Sequence, residues 1–391
     1  MSTKKEFVRK QKEDMPVVAV CYDFDKTLTK TDMQAQGFIQ SLNWEVKDFW
    51  DKCNSLSFEN GMDDNLAYMF RMVTESEGKV LFTKNTLLDY GSRIELFPGV
   101  ESWFDRINEY GWEKGVIVEH YIISSGLKEM IEGTSIADKF ERIYASSFLY
   151  NEKGVAVWPA QAINYTNKTQ FLFRISKGMV DLNDQGVNDS IPPEQLRVPF
   201  RNMIYIGDSD TDVPCMKLVT SYGGNAIGVY DPQEQQKGKV YKMLGEHRIR
   251  FFAPADYSEG TRIDKLLKAM IDKAAAAERL EAMYFENKAE TEEFLRRQSE
   301  RQKYRSGLCF LLENSTNYAA THTALNKLSK VEDWSDEDKR RLFEIAVRNS
   351  QVWLILTDVD VKEFYTSLFE GYDPSNDDYA TAVAEKLATD R

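Results

Sequence analysis

The order of apolar runs in this chain predicts a doubly wound α/β fold, a mostly parallel sheet with helices on both faces, joined to a helical insert and a helical C-terminal region. Two observations carry that expectation. Residues 17–22 (VVAVCY) form an unbroken, valine-rich apolar run without polar alternation, as a strand buried on both faces requires. Short runs of the same kind recur at 119–123, 142–145, 203–206, 226–230 and 249–253, with helical periodicity between them.

The helices are read from their spacing. Val100, Trp103, Phe104 and Ile107 repeat at i, i+3, i+4, i+7, with Pro98 and Gly99 before them and Gly111 after them. Ile263, Leu266, Leu267, Met270 and Ile271 follow the same rule behind Ser258, and this helix is expected to close the sheet domain. Between Gly37 and Leu96 strand signals vanish, and Leu66, Met69, Phe70 and Val73 mark an amphipathic helix among other helical segments. Residues 180–198 are polar and acidic and carry Pro192 and Pro193, which predicts a surface excursion outside the chemistry. From Lys273 the chain turns alanine-rich and charged with few strand signals. The expected partition is therefore a core from 1–36 and 97–272, an insert at 37–96 and a helical region of open role at 273–391.

Composition narrows the function. Hydrophobic residues make up 42% and charged residues 29%, a globular balance that leaves room for a sizeable core. The net charge of −13 argues against a nucleic-acid binder, which needs a basic face, so any anionic substrate must be held by local cations. Four cysteines (Cys21, Cys53, Cys215, Cys309) form no CxxC pair or disulfide framework, and three histidines are too dispersed for a histidine-rich metal site. The start, MSTKKEFVRKQKEDM, is polar, and no segment approaches the ~20 apolar residues of a membrane span. A cytoplasmic protein without membrane partners is expected.

Four segments carry candidate chemistry. The first strand ends in Asp23-Phe24-Asp25-Lys26-Thr27, two carboxylates at i and i+2 just past the strand's carboxyl end, where open α/β sheets bind ligands. Alone, this also reads as an acidic turn capping the next helix. The run 121–123 ends in Ser124-Ser125-Gly126, offering a hydroxyl and backbone amides to phosphate oxygens at a strand-to-helix junction, or an ordinary helix cap. Lys168 precedes the apolar-periodic Phe171, Leu172 and Ile175 and is placed to neutralise a nucleophile and a phosphoryl group, although a lone lysine is more often solvated. Finally, 203–206 ends in Gly207-Asp208-Ser209-Asp210-Thr211-Asp212, an oxygen-rich cluster that suits a hard cation such as magnesium, or a capped helix start with Pro214 near it.

In this order DFDKT, IISSG, a following lysine and GDSDTD resemble the four motifs of the haloacid dehalogenase superfamily over roughly residues 17–270, and the insert resembles the C1-type cap of phosphoserine phosphatase. The resemblance implies a Mg2+-dependent phosphatase for a small phosphorylated metabolite. Asp23 would be the nucleophile that forms an aspartyl phosphate, and Asp25 the acid and then base. Ser124 and Lys168 would hold phosphate oxygens, and Thr27 would orient the nucleophile loop. The metal would be held by Asp23, the Asp25 carbonyl and Asp208, supported by Asp212. Asp25 also speaks against dehalogenation, because the dehalogenases lack that second carboxylate.

Several points stay open on sequence alone. Lys177 competes with Lys168 for the lysine role, with Lys168 favoured by its place before the helix while Lys177 sits near the helix terminus, and Arg71, Lys79, Lys84 and Arg93 are candidate substrate contacts from the insert. A phosphotransferase or mutase would use the same motifs, and a binding protein acting through 273–391 is a further alternative. Residues 352–360 also imitate a strand ending in DxD, but Lys362 stands where threonine belongs and no metal motif follows. Thr357 or Asp358 is expected to cap a helix carrying Val361, Phe364, Tyr365 and Leu368.

Overall fold

The computed structural model describes residues 15–233 and 237–388. The polar N-terminal segment 1–14 and residues 389–391 lie outside the described residues. Seven strands form one sheet: β1 (Val17–Tyr22), β2 (Ile117–Leu127), β3 (Arg142–Tyr150), β4 (Ala156–Gln161), β5 (Met203–Gly207), β6 (Asn225–Tyr230) and β7 (Phe251–Pro254), in the spatial order β4-β3-β2-β1-β5-β6-β7. All pairs are parallel except β3 with β4.

The order explains where a site belongs. The chain runs outward from β1 through β2 and β3, then returns to lay β5 on the other side of β1. The carboxyl ends of β1 and β5 therefore flank the topological switch point. Register makes this concrete: Tyr22 pairs with Ile206, and the Asp23 amide donates to the Ile206 carbonyl at 2.9 Å. Residues just past each strand end thus emerge at the same rim.

Each sheet face has its own apolar layer. Val18, Val20 and Tyr22 point to one face, where Trp103, Phe104 and Ile107 of helix Val100–Glu113 and Ile263, Leu267 and Ile271 cover them. Val17, Ala19 and Cys21 point to the other, under Phe171, Leu172 and Ile175 of helix Thr169–Lys177 and Cys215, Met216 and Val219 of helix Val213–Ser221. All four cysteines are free and buried. The segment after β1 is helical, with helices Val46–Asn60, Asp64–Ser76 and Lys84–Gly91.

The structure departs from the sequence reading in four places. An unforeseen strand, β4, pairs antiparallel at the sheet edge. β2 continues through Ser124-Ser125-Gly126 to Leu127, so these residues lie within a strand whose register shifts, not at a strand-to-helix junction. The helix expected to close the core instead runs unbroken from Arg262 to Glu313. Residues 350–354 are a helix, which removes the second DxD strand; Asp358 sits at the next helix's N-cap position but makes no side-chain cap bond.

By its internal contacts the chain divides into Met1–Glu281 and Ala282–Arg391. The second unit is helical, and Leu312, Leu328, Leu342, Phe343, Leu356 and Tyr365 lie in its core. No helix among the described residues is long and apolar enough to cross a membrane.

Candidate active site

Directly after β1 the backbone turns tightly: the Phe24 carbonyl accepts from the Thr27 amide (3.2 Å) and the Leu28 amide (2.9 Å), and Lys26 takes a left-handed φ of 57°. This turn sets Asp23 and Asp25 apart. Asp23 is buried, and its Oδ1 accepts from Lys168 Nζ at 3.0 Å. Asp25 turns away, accepting the Met33 amide on Oδ1 at 2.7 Å. Thr27 is fully buried, and its carbonyl accepts from the Tyr257 hydroxyl at 2.8 Å, which ties the loop to the core; its own hydroxyl has no partner among the described residues.

The loop after β5 supplies the other carboxylates. Asp212 is wholly buried: Oδ1 accepts from Lys168 Nζ (2.8 Å) and the Tyr205 hydroxyl (2.9 Å), and Oδ2 accepts from the Ser209 amide (3.3 Å). Gly207 makes room for it, since a Cβ there would stand 2.5 Å from Asp212 Oδ2. Single carboxylate oxygens of Asp23, Asp208 and Asp212 all lie within 4.8 Å of one another. Asp25's carboxylate is outside that cluster. Arg248 pairs with Asp210 on the outer side of the loop.

Lys168, 1% exposed, is the ammonium in this group. Lys177 points elsewhere, donating to the Val187 and Asp189 carbonyls at 2.6 Å each and so pinning the polar excursion. Two nearby carboxylates hold the Lys168 ammonium protonated despite burial. The acids respond oppositely. Burial, then the charge of Asp212, pushes Asp23 up to about 6 against the pull of Lys168. Burial, Asp212 and Asp23 push Asp208 up to about 8. Burial and the charges of Asp32 and Asp23 raise Asp25 well above the usual carboxylate range. Three clustered carboxylates facing one ammonium leave two negative charges to be met, and an all-oxygen donor set of this kind fits a hard divalent cation.

Ser124 is buried, and its Oγ accepts from the Gly126 amide at 3.0 Å. It caps no helix: the next one, Lys128–Glu132, has Leu127 at its N-cap position. The insert reaches this strand through Tyr68, whose hydroxyl donates to the Ser125 carbonyl at 2.8 Å. The four candidate cations of the insert are engaged by acids, Arg71 and Lys79 by Glu75, Lys84 by Glu132 and Arg93 by Asp89.

Sequence reasoning missed the groups that position Asp25. Gly126 packs so closely that a Cβ would stand 2.2 Å from Met33 Cε and 2.9 Å from Asp25 Oδ2. Gly126→Ala is expected to displace Met33 and the Asp25 carboxyl, lowering kcat on the order of 10²-fold while costing about 1–3 kcal/mol of stability. Steady-state kinetics beside a denaturant titration check this; a kcat within twofold of the native chain's would show that the contact positions nothing.

The sequence profile of the haloacid dehalogenase-like hydrolases matches residues 20–217, half of the chain and the stretch that holds Asp23, Asp25, Thr27, Ser124, Lys168, Asp208 and Asp212. The chain belongs to this family. An uncharacterised protein of Borreliella burgdorferi is 26% identical over 275 residues, 63% of this chain and 94% of the relative. Among solved structures, a haloacid dehalogenase family hydrolase from Salmonella enterica serovar Typhi is 16% identical with a TM-score of 0.43, covering 66% of this chain and 72% of that one. A phospho-aspartyl intermediate analogue of phosphoserine phosphatase is 13% identical with a TM-score of 0.38, covering 65% and 99%. In this haloacid dehalogenase-like chain, Asp23, Asp208, Asp212 and Lys168 are the residues gathered at the switch point.

Proposed function

We propose that this chain is a magnesium-dependent phosphatase that hydrolyses a small phosphorylated metabolite through a phosphate ester on Asp23. One observation carries the reading: Lys168 pairs with Asp23 and pulls its carboxyl toward the ionised form against burial, at the rim where three carboxylates cluster, while Asp25 is held apart from that ammonium with its pKa raised well above the usual carboxylate range. A nucleophile must be a carboxylate and its acid partner must keep a proton, and two aspartates two residues apart meet these opposite demands through different surroundings.

In the first step an Asp23 carboxylate oxygen attacks phosphorus, and Asp25 gives its proton to the departing alkoxide oxygen. In the second, the now ionised Asp25 takes a proton from water as that water attacks phosphorus, which releases phosphate and regenerates Asp23. The Lys168 ammonium and the Ser124 hydroxyl bind phosphoryl oxygens, and Thr27 steadies the loop through its carbonyl bond to Tyr257. Asp23, Asp208 and the Asp25 carbonyl, with Asp212 behind them, would hold magnesium, which when bound supplies positive charge to the phosphoryl group.

A cavity of about 340 Å³ adjoins Asp208 and is lined in part by Lys26, Lys30, Tyr230 and Lys239, a volume and chemistry suited to a small, polar leaving group. The test is phosphate release from a panel of phosphorylated metabolites, with and without chelator. Magnesium-dependent turnover is expected, and Asp25→Asn is expected to reduce it by about 10²–10⁴-fold. Turnover indifferent to both chelation and Asp25→Asn would reject the assignment.

A further inference from the structure

The long helix Arg262–Glu313 carries, in its part belonging to the second unit, a run of exposed large apolar side chains. Met283, Tyr284, Phe294 and Leu295 are 58%, 60%, 60% and 56% exposed. At 100° per residue these four fall within an arc of about 120°. Asn287, Thr291, Gln298 and Gln302, also exposed, lie on the same arc. Tyr284, Asn287, Thr291, Phe294, Gln298, Gln302 and Arg305 follow one another at intervals of three and four residues, so an uncharged stripe runs to Gln302 and Arg305 ends it. Solvent-facing helices do not need such a stripe; pairing helices do.

Its chemistry is self-complementary in one direction. Turned end for end about the point between Phe294 and Leu295, a second copy sets Phe294 on Leu295, Thr291 on Gln298, Asn287 on Gln302 and Tyr284 on Arg305. The apolar contact falls at the centre, hydrogen-bonding side chains meet outside it, and a guanidinium meets an aromatic ring at each end. Charge agrees. One edge of the stripe carries Glu286, Glu290 and Glu293 and then Arg297 and Arg301. A two-fold axis across the helices keeps like edges together, so Glu290 comes to lie beside Arg297 and Arg301 of the other copy, and Glu286 beside Arg301. In a parallel pair this edge would instead face the opposite edge of the other copy, and Glu290 would not meet Arg297 or Arg301. Among the described residues Arg297 pairs with Glu293 of its own helix at 2.9 Å, whereas Glu290 and Arg301 have no ion pair. Exposed ion pairs within a helix contribute little and are readily shared.

We propose that two copies of this chain pair antiparallel through residues 283–305 of the long helix, centred on Phe294 and Leu295. Sedimentation of the full chain tests it. The native chain is expected to run as a dimer, and Phe294→Glu with Leu295→Glu as a monomer with unchanged helical circular dichroism. Glu286→Arg with Glu290→Arg is expected to give a monomer by facing Arg297 and Arg301, and adding Arg297→Glu with Arg301→Glu is expected to restore the dimer. Direction is read by oxidation. Leu295→Cys is expected to form a disulfide with its own copy, and Tyr284→Cys is not, because its twin lies about 30 Å along the pair. A monomeric native chain, a dimer that survives the charge-reversed edge, or a disulfide through Tyr284→Cys would each overturn the proposal.

Discussion

Asp23→Asn is expected to lower phosphate release by at least about 10⁴-fold, with the fold intact. An amide keeps the size and the hydrogen-bonding reach of the side chain, so Lys168 retains a partner at 3.0 Å and the buried turn keeps its shape. What disappears, on the proposed mechanism, is the nucleophile. Because each step of the ester exchange uses the same oxygen, neither Asp25 nor Lys168 substitutes for it, and the residual rate reflects only charge and positioning. Phosphate release measured beside a thermal melt separates this outcome from unfolding. A loss smaller than about tenfold would mean that another group attacks phosphorus.

Asp208→Asn is expected to have opposite effects on function and on stability. Burial and two neighbouring carboxylates raise the folded-state pKa of Asp208 to about 8, above that of an ordinary aspartate. For an acid shifted upward, the stabilising contribution is full below the unfolded pKa near 4 and is lost as pH rises through the folded value. The chelated native protein is therefore expected to melt at progressively lower temperature from pH 5 to pH 8. Asparagine removes that charge, so the chelated variant is expected to melt on the order of 10 °C higher than the native chain at pH 8. Magnesium is expected to raise the melting temperature of the native protein and not that of the variant, because a ligand stabilises only the form that binds it. Melting curves at both pH values, with and without magnesium, check this. Equal pH slopes in the two proteins would show that Asp208 carries no buried charge.

Much of the core was legible because its signals are local. A strand buried on both faces has to be apolar throughout, and 17–22 and 203–206 are. Those strands put Asp23 and Asp208 one residue and two residues beyond their last apolar positions, and parallel register brought the two together. β4 gave no such signal. It is an edge strand with Val157 and Trp158 exposed and Pro159 within it, and a proline tolerated at an edge argues against a strand when met in sequence. The far end of the long helix was equally hidden, since no proline or glycine stop breaks it where the core ends; the first glycine after Arg262 is Gly307.

The site was partly legible for the same reason. Carboxylates and a lysine announce their chemistry, and Lys168 was separable from Lys177 by its place ahead of its helix. The groups that tune them do not. The Met33 amide and the space left by Gly126 act through backbone and through absence of side chain, and the Tyr205 hydroxyl lies inside an apolar strand run, so no residue pattern encodes them.

Trapping the covalent intermediate tests the central claim most directly. The chain is mixed with magnesium and p-nitrophenyl phosphate, quenched, and reduced with borohydride, which converts an aspartyl phosphate to homoserine. Peptide mass spectrometry is expected to find that conversion at position 23 alone, and only when phosphate ester was present. Conversion at another carboxylate, or none during sustained turnover, would contradict the account.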